Sequence, residues 1–187
     1  MTSKMKNLKK QKLVINGDQI FLRCLEESNA TKEYSDWLND SEVNRYLTTK
    51  SATTSGLKKY IKEKNKDPNC LFFGIFFKKN KKHIGNIKLE PINFKDYEAT
   101  IGIMIGDKDY WGRGIGTEAI RLLTNYAFQK IGLEEINLGV VSKNKVAIKA
   151  YKNVGFKIDK IEKKAVRYGD TTYDQLIMSI KNFKIKT

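Results

Sequence analysis

Asp109-Tyr110-Trp111-Gly112-Arg113-Gly114-Ile115-Gly116-Thr117-Glu118-Ala119 is the stretch on which the reading of this chain turns. It follows the apolar run Ile101-Gly102-Ile103-Met104-Ile105, which reads as a strand, and it opens a helix-patterned stretch over 117–131. Glycines at 112, 114 and 116 remove the Cβ atoms that would block a close approach. Backbone amides at the start of a helix then point at an anion, and the helix dipole adds to the attraction. Strand, glycine loop and helix in that order make a cradle for a pyrophosphate.

Other phosphate-binding patterns do not fit. A dinucleotide fingerprint needs G-x-G-x-x-G and an acid about twenty residues further on. Counted from Gly112, its third glycine falls on Thr117, and the next strand candidate, 136–141, runs into Ser142 and Lys143. No Gly-Lys-Ser/Thr follows the glycines, so a nucleoside-triphosphate loop is excluded as well.

The pattern that fits is the acetyl-CoA-binding motif of the GNAT superfamily of N-acetyltransferases, and the chain resembles in particular its RimJ/RimL-like branch. Three stretches carry the resemblance. The first is 109–119, quoted above. The second is Ser142-Lys143-Asn144 with Ala147, Tyr151 and Gly155-Phe156, similar to the family's N-x-x-A-x-x-x-Y-x-x-x-G-F block. The third is Trp37-Leu38-Asn39-Asp40 with Val43 and Tyr46-Leu47, similar to the helical region near the family's N-terminus. The resemblance as a whole covers residues 18–181.

The resemblance implies acetyl-CoA as co-substrate and no metal. It implies that the backbone of Met104, Ile105 and Gly106 pairs with pantetheine, and that amides along Gly112, Arg113, Gly114, Ile115, Gly116 and Thr117 hold the pyrophosphate. Asn144 would contact the cofactor or cap the helix that follows, and Tyr151 would protonate the departing thiolate. Many relatives carry a glutamate as general base on the strand before the glycine loop or on the strand after the long helix. Those positions correspond here to Thr100 and Gly139, so no base is assigned. Trp111 departs from the Gln or Arg common in the superfamily, although an aromatic is usual in the RimJ/RimL-like branch.

Composition agrees with one soluble enzyme domain over 13–187, preceded by a basic, mobile tail over 1–12. Apolar residues make up 40% of 187, and no run approaches the ~20 that a membrane helix requires. The basic N-terminus lacks an apolar signal core, so a cytoplasmic enzyme is expected. Cys24 and Cys70 each neighbour a leucine and read as buried thiols; with a single histidine they cannot make a zinc site. The net charge is +15. Its lysine pairs are dispersed and do not interleave with aromatics, so they read as a solvated surface rather than a nucleic-acid platform. Attraction to a phosphorylated substrate is the alternative. A homodimer is left open.

The elements alternate without repeats. Strands are expected over 19–25, 71–78, 83–89, 100–105 and 136–141, and in a final hairpin over 156–166 and 173–180, turning at Gly169-Asp170. Helices are expected over 31–38, 54–66, 117–131 and 145–153, with a short one from Asp40/Ser41 and a loop over 91–97. The Phe72/Phe73/Phe76/Phe77 cluster and His83 read as structural, and Glu118 as a tie between helix and loop. The fold class is α/β (α+β): a mixed sheet with helices on both faces, and from the resemblance splayed open near 101–105.

A primary amine attacking a thioester expels a thiolate, and a nearby proton donor lowers that barrier. Tyr151 is four residues after Ala147, so on a helix the two share a face. Arg23, Trp37, Tyr46 and Asn86, with Arg45, are candidates to line the acceptor cleft. The acceptor is read as an amino sugar, nucleotide-linked or free, or as a protein or peptide N-terminus. His83-Ile84-Gly85-Asn86-Ile87 and the Trp37 stretch also resemble members associated with surface-polysaccharide biosynthesis. A polyamine or aminoglycoside acceptor, and an acyl-CoA sensor without turnover, are the alternatives.

Overall fold

The computed structural model describes residues 13–182; the expected tail over 1–12 lies outside the described residues. The strands are β1 (Val14–Asn16), β2 (Ile20–Cys24), β3 (Leu71–Phe77), β4 (His83–Asn93), β5 (Glu98–Ile105), β6 (Glu135–Val141), β7 (Lys157–Tyr168) and β8 (Thr171–Lys181). The helices are α1 (Lys32–Asn39), α2 (Thr54–Lys66), α3 (Ile115–Tyr126) and α4 (Lys145–Val154). One open sheet runs in the order β1-β2-β3-β4-β5-β6-β8-β7. Every pairing is antiparallel except β5 with β6. The expected mixed α/β (α+β) architecture is present.

Strand alternation sends apolar side chains to two faces, and each face acquires helices. Ile87, Leu89, Ile101 and Leu138 meet Ile115, Ile120 and Leu123 of α3 and Ile148 of α4. Each such aliphatic side chain contributes about 1.5–3 kcal/mol by leaving water. Leu25 and Phe72 turn the other way, toward Trp37 and Leu38 of α1 and Leu57 and Ile61 of α2. Phe72, Phe73 and Phe76 are buried core residues, as their pattern predicts.

Thr31 Oγ1 caps α1 by accepting from the Tyr34 amide (3.2 Å), and Thr53 Oγ1 caps α2 by accepting from Gly56 (3.1 Å). α3 begins at Ile115, two residues before the sequence pattern suggests. Gly114, at φ 77°, makes the turn and serves as N-cap, which no apolar spacing can reveal. A π-turn over Ala127–Ile131 ends it, and Gly132 closes it at φ 85°.

Two other expectations are corrected and one strand is added. No helix starts at Asp40: its carboxylate accepts from the amides of Glu42 (2.8 Å) and Val43 (3.4 Å), which holds a turn instead. β4 runs on to Asn93 through what reads as a loop, because a register irregularity between Leu89 and Ile92 accommodates Pro91. β1, three residues long, is too short to show a period, and it forms by pairing with β2.

The feature that positions the site is a fork. β5 and β6 pair only at Glu98↔Glu135, Ala99↔Ile136 and Thr100↔Asn137. Beyond that point residues 101–105 and 138–141 continue without each other. The splay expected near 101–105 is there.

Candidate active site

At the open end of the fork stands the glycine loop. Gly112 (φ 72°) and Gly114 (φ 77°) occupy left-handed backbone conformations that a side chain would strain. A Cβ at either would meet no protein atom within 4 Å, so the space above the loop is open. By helix geometry the amides of Ile115, Gly116 and Thr117 have no carbonyl above them. These donors and the dipole of α3 suit a pyrophosphate by chemistry and by room. The Arg113 guanidinium lies over the Tyr110 ring at 5.3 Å. Glu118 is turned away from the loop. Its carboxylate accepts from the amides of Asp18 (2.6 Å) and Gln19 (3.0 Å), tying the β1–β2 turn to α3.

The fork offers unpaired backbone. Gly106 donates its amide to the Ile84 carbonyl (2.9 Å), so by antiparallel alternation the groups of Met104 and Gly106 face β4. Those of Ile103 and Ile105 face the opening. One is already engaged: the Trp111 indole N–H donates to the Ile105 carbonyl at 2.9 Å. Trp111 thus latches the glycine loop to the end of β5, a role that its place in the motif did not reveal.

On the α3 face, α4 carries the second motif. Asn144 Oδ1 accepts from the Ala147 amide (3.2 Å) and caps the helix, leaving its amide N–H₂ available. Tyr151 is 6% exposed and packs edge-to-face on Phe156 at 5.6 Å. Burial pushes its phenol well above the ordinary value, so it stays protonated at neutral pH. Its hydroxyl has no hydrogen-bond partner among the described residues. A buried, uncommitted phenol is suited to giving a proton to a thiolate formed beside it.

The acceptor candidates divide. Trp37 is buried under α1 with its indole against Gly106, where any Cβ would collide with it. Arg23 lies over the Phe76 ring at 4.6 Å, with its Nε buried and unpartnered. Asn86 is buried beside them. The carbonyl of Gly85 can only accept, so His83 Nε2 carries the proton and donates to it (2.9 Å) and to Asn86 Oδ1 (2.9 Å). Asn86 Nδ2 is left without a partner. Burial lowers the His83 pKa, which suits the expected structural role. Tyr46 stands apart from this group, in the segment after α1, where its carbonyl accepts from the Tyr168 hydroxyl at 2.9 Å. That contact joins the hairpin tip to the segment after α1. Arg45 lies exposed over the Tyr46 ring at 5.4 Å.

Neither position where relatives carry the glutamate offers a base, and among the described residues the carboxylates of Glu90 and Asp174 are committed. Thr100 Oγ1 donates to Asn137 Oδ1 (2.7 Å), and a Cβ on Gly139 would strike the carboxamide of Gln175. Glu90 is claimed by Lys64 and by Lys88 (2.6 Å). Burial raises its pKa, but the hydrogen bonds from the two lysines outweigh that and leave it lowered. Asp174 is bound by Lys163 (2.9 Å) and the Lys164 amide (3.0 Å). Among the described residues no cluster of three metal-ligating side chains exists, and no helix is long and apolar enough to cross a membrane.

Known proteins are similar to this chain in sequence and in fold. The chain is 27% identical over 179 residues to the probable N-acetyltransferase YjcK of Bacillus subtilis (strain 168), covering 90% of this chain and 97% of that one. Its fold matches the spermidine N-acetyltransferase of Vibrio cholerae, solved with CoA and spermine, at TM-score 0.81 and 22% identity, over 88% of this chain and 96% of that one. It also matches the ribosomal-protein-S5-alanine acetyltransferase of Vibrio fischeri at TM-score 0.78 and 21% identity, over 94% and 100%. A family model described as an acetyltransferase (GNAT) domain covers residues 19–157, and with the forked sheet and glycine loop this places the chain in the GNAT acetyltransferase family.

Proposed function

We propose that this protein transfers the acetyl group of acetyl-CoA to a primary amine, and that the acceptor is an amino sugar or a peptide N-terminus. The observation that carries the reading is the fork itself. It offers unpaired β5 backbone for pantetheine, open amides at α3 for the pyrophosphate, and the buried phenol of Tyr151 on the same face. Ile103 and the Ile105 amide are the backbone groups open to pantetheine, in place of those of Met104 and Gly106, which face β4, and Asn144 Nδ2 is the group that would meet the cofactor.

The amine attacks the thioester carbonyl, forming the C–N bond. The C–S bond then breaks, Tyr151 gives its proton to sulfur, and the proton lost by nitrogen passes to solvent, from which the phenolate is restored. Water takes the place of a protein base, in keeping with Thr100 and Gly139 at the two glutamate positions. Trp111 within the glycine motif supports the RimJ/RimL-like branch. The two cysteines, Cys70 buried and Cys24 half-buried, are not bridged, which fits a cytoplasmic enzyme.

A polyamine acceptor gains one specific argument, the carboxylates Glu33, Asp36, Asp40 and Asp107 around α1. They are spent on Lys82, Lys32 and Lys108 at 2.7–3.0 Å, which weakens it. The test is release of free CoA thiol from acetyl-CoA against sugar-nucleotide amines, N-terminal peptides, spermidine and an aminoglycoside. Turnover of a sugar or peptide amine is expected. Binding of acetyl-CoA without turnover of any amine would mean a sensor instead.

A further inference from the structure

On the face of the sheet opposite α3, two glycines flank the crotch of the fork. Extending the Thr100↔Asn137 register by two residues would set Gly102 opposite Gly139, at the point where the strands part. Neither position carries a side chain, so neither wall of the crotch is closed. Each is crossed instead by a residue from a neighbouring strand. The stem of Lys88 passes over Gly102, with Cε and Cγ 3.8 and 3.9 Å from where a Cβ would stand. The carboxamide of Gln175, from β8, lies on Gly139. Just below, the Thr100–Asn137 hydrogen bond forms the floor.

The chemistry of this slot is one-sided. The Lys88 ammonium has three donors, of which Tyr60 Oη (3.1 Å) and Glu90 Oε2 (2.6 Å) take two. Because Asn137 Oδ1 accepts from Thr100, its N–H₂ remains for a ligand. The Gln175 carboxamide has no hydrogen-bond partner among the described residues. The carboxylate that holds Lys88, Glu90, is also committed to Lys64.

We propose that Lys88 and Gln175 bracket the acceptor where it reaches the thioester, and that they select an amine flanked by oxygen acceptors (hydroxyl, carboxylate or phosphate) over a polycation. This rests on the acetyltransferase reading above and deepens it. The cation has a second consequence. A positive charge beside the incoming nitrogen disfavours its ammonium form, which does part of the work of the missing glutamate.

The experiment uses the full chain and a charge-graded set of amines: glucosamine 6-phosphate, a UDP-linked amino sugar, glucosamine, neutral and acidic N-terminal tripeptides, and spermidine. Wild type is compared with Lys88→Met, Lys88→Glu, Lys88→Arg and Gln175→Ala. Anionic and hydroxylated amines should outrank spermidine in wild type. Lys88→Met and Gln175→Ala should each cut kcat/KM for the preferred acceptor by about tenfold, as loss of a polar contact does, with the KM for acetyl-CoA nearly unchanged. Lys88→Met should also move the acid limb of kcat to higher pH, and Lys88→Arg should restore it, which a purely structural lysine would not do. Lys88→Glu should turn the preference toward spermidine. Preference of the wild type for spermidine would overturn the proposal. So would acceptor kcat/KM values within twofold of wild type in both Lys88→Met and Gln175→Ala, the second removing a half-buried side chain that makes no hydrogen bond among the described residues. If no amine is turned over although acetyl-CoA binds, the acetyltransferase reading fails first and this inference falls with it.

Discussion

The two halves of the fork are built in different ways. The acetyl-donor half, on the α3 face, comes from contiguous sequence: a strand, a glycine loop and the first turn of α3, with α4 supplying Asn144 and Tyr151 within eight positions. The acceptor half, on the α1 face, is collected from five strands, two helices and the hairpin tip. Lys88, Thr100, Asn137 and Gln175 share no local pattern, and meet only because β4, β5, β6 and β8 lie side by side. A ligand used by a whole family can be met by a local motif. One that differs between members is met by positions scattered through the chain, each free to change alone.

The sharpest way to break the donor half is Tyr151→Phe. Removing this uncommitted buried phenol should lower kcat by about 10²-fold or more, the usual worth of a general acid, while acetyl-CoA binding measured by calorimetry stays near wild type. An unchanged kcat would remove Tyr151 from the chemistry. Next comes Gly114→Ala. The αL backbone costs a non-glycine residue about 1–2 kcal/mol, so the KM for acetyl-CoA should rise by roughly tenfold with the acceptor KM unaffected. An equal rise in both would erase the distinction between the halves.

Smaller effects test what holds the halves in place. Glu118→Ala strips the acceptor from the β1–β2 turn, and loss of hydrogen bonds to a charged group should cost about 1–2 kcal/mol. At that size Tm should fall by about 2–8 °C, with acetyl-CoA affinity close to wild type. The smallest effect concerns His83, on the acceptor side. Its folded pKa lies below the ordinary 6.5, so the unfolded chain takes up the proton first as pH falls. Its contribution to stability is therefore complete above pH 6.5 and is lost as pH drops through the folded value. Differential scanning calorimetry should show a decline in Tm below pH 6.5 that flattens in His83→Gln.

Much of this was legible in the chain. α2 has the predicted limits, Thr31 caps α1 as its place before an apolar-periodic run suggests, and Gly132 ends the long helical segment in the left-handed conformation. What misled was local chemistry that competes with periodicity. Asp40 looks like the start of a helix, but its carboxylate captures two amides and holds a turn. Pro91 looks like the end of β4, yet an irregular register carries the strand past it. The start of α3 was placed two residues late because a glycine N-cap has no side chain to announce it.

At the site the same division holds. Met104, Ile105 and Gly106 could be named from the motif, but which of their backbone groups face the opening depends on the pairing of Gly106 with Ile84. Trp111 was visible as a departure from a pattern, whereas its bond to the Ile105 carbonyl needed the folded loop. Thr100 and Gly139 were visible as missing acids. That Gln175 lies over one of them, and Lys88 over the neighbouring Gly102, was not.

By itself the sequence determined the order of strands and helices from β2 onward, the glycine turn before α3 and the place of Asn144 and Tyr151 at the start and on the body of α4, because these depend on spacing along the backbone over a few turns. The tertiary structure alone decided where β5 and β6 part, which edges stay unpaired, and which distant side chains cross the gap. Those outcomes depend on cross-strand register and on packing between residues as far apart as Lys88 and Gln175, and no local period encodes them.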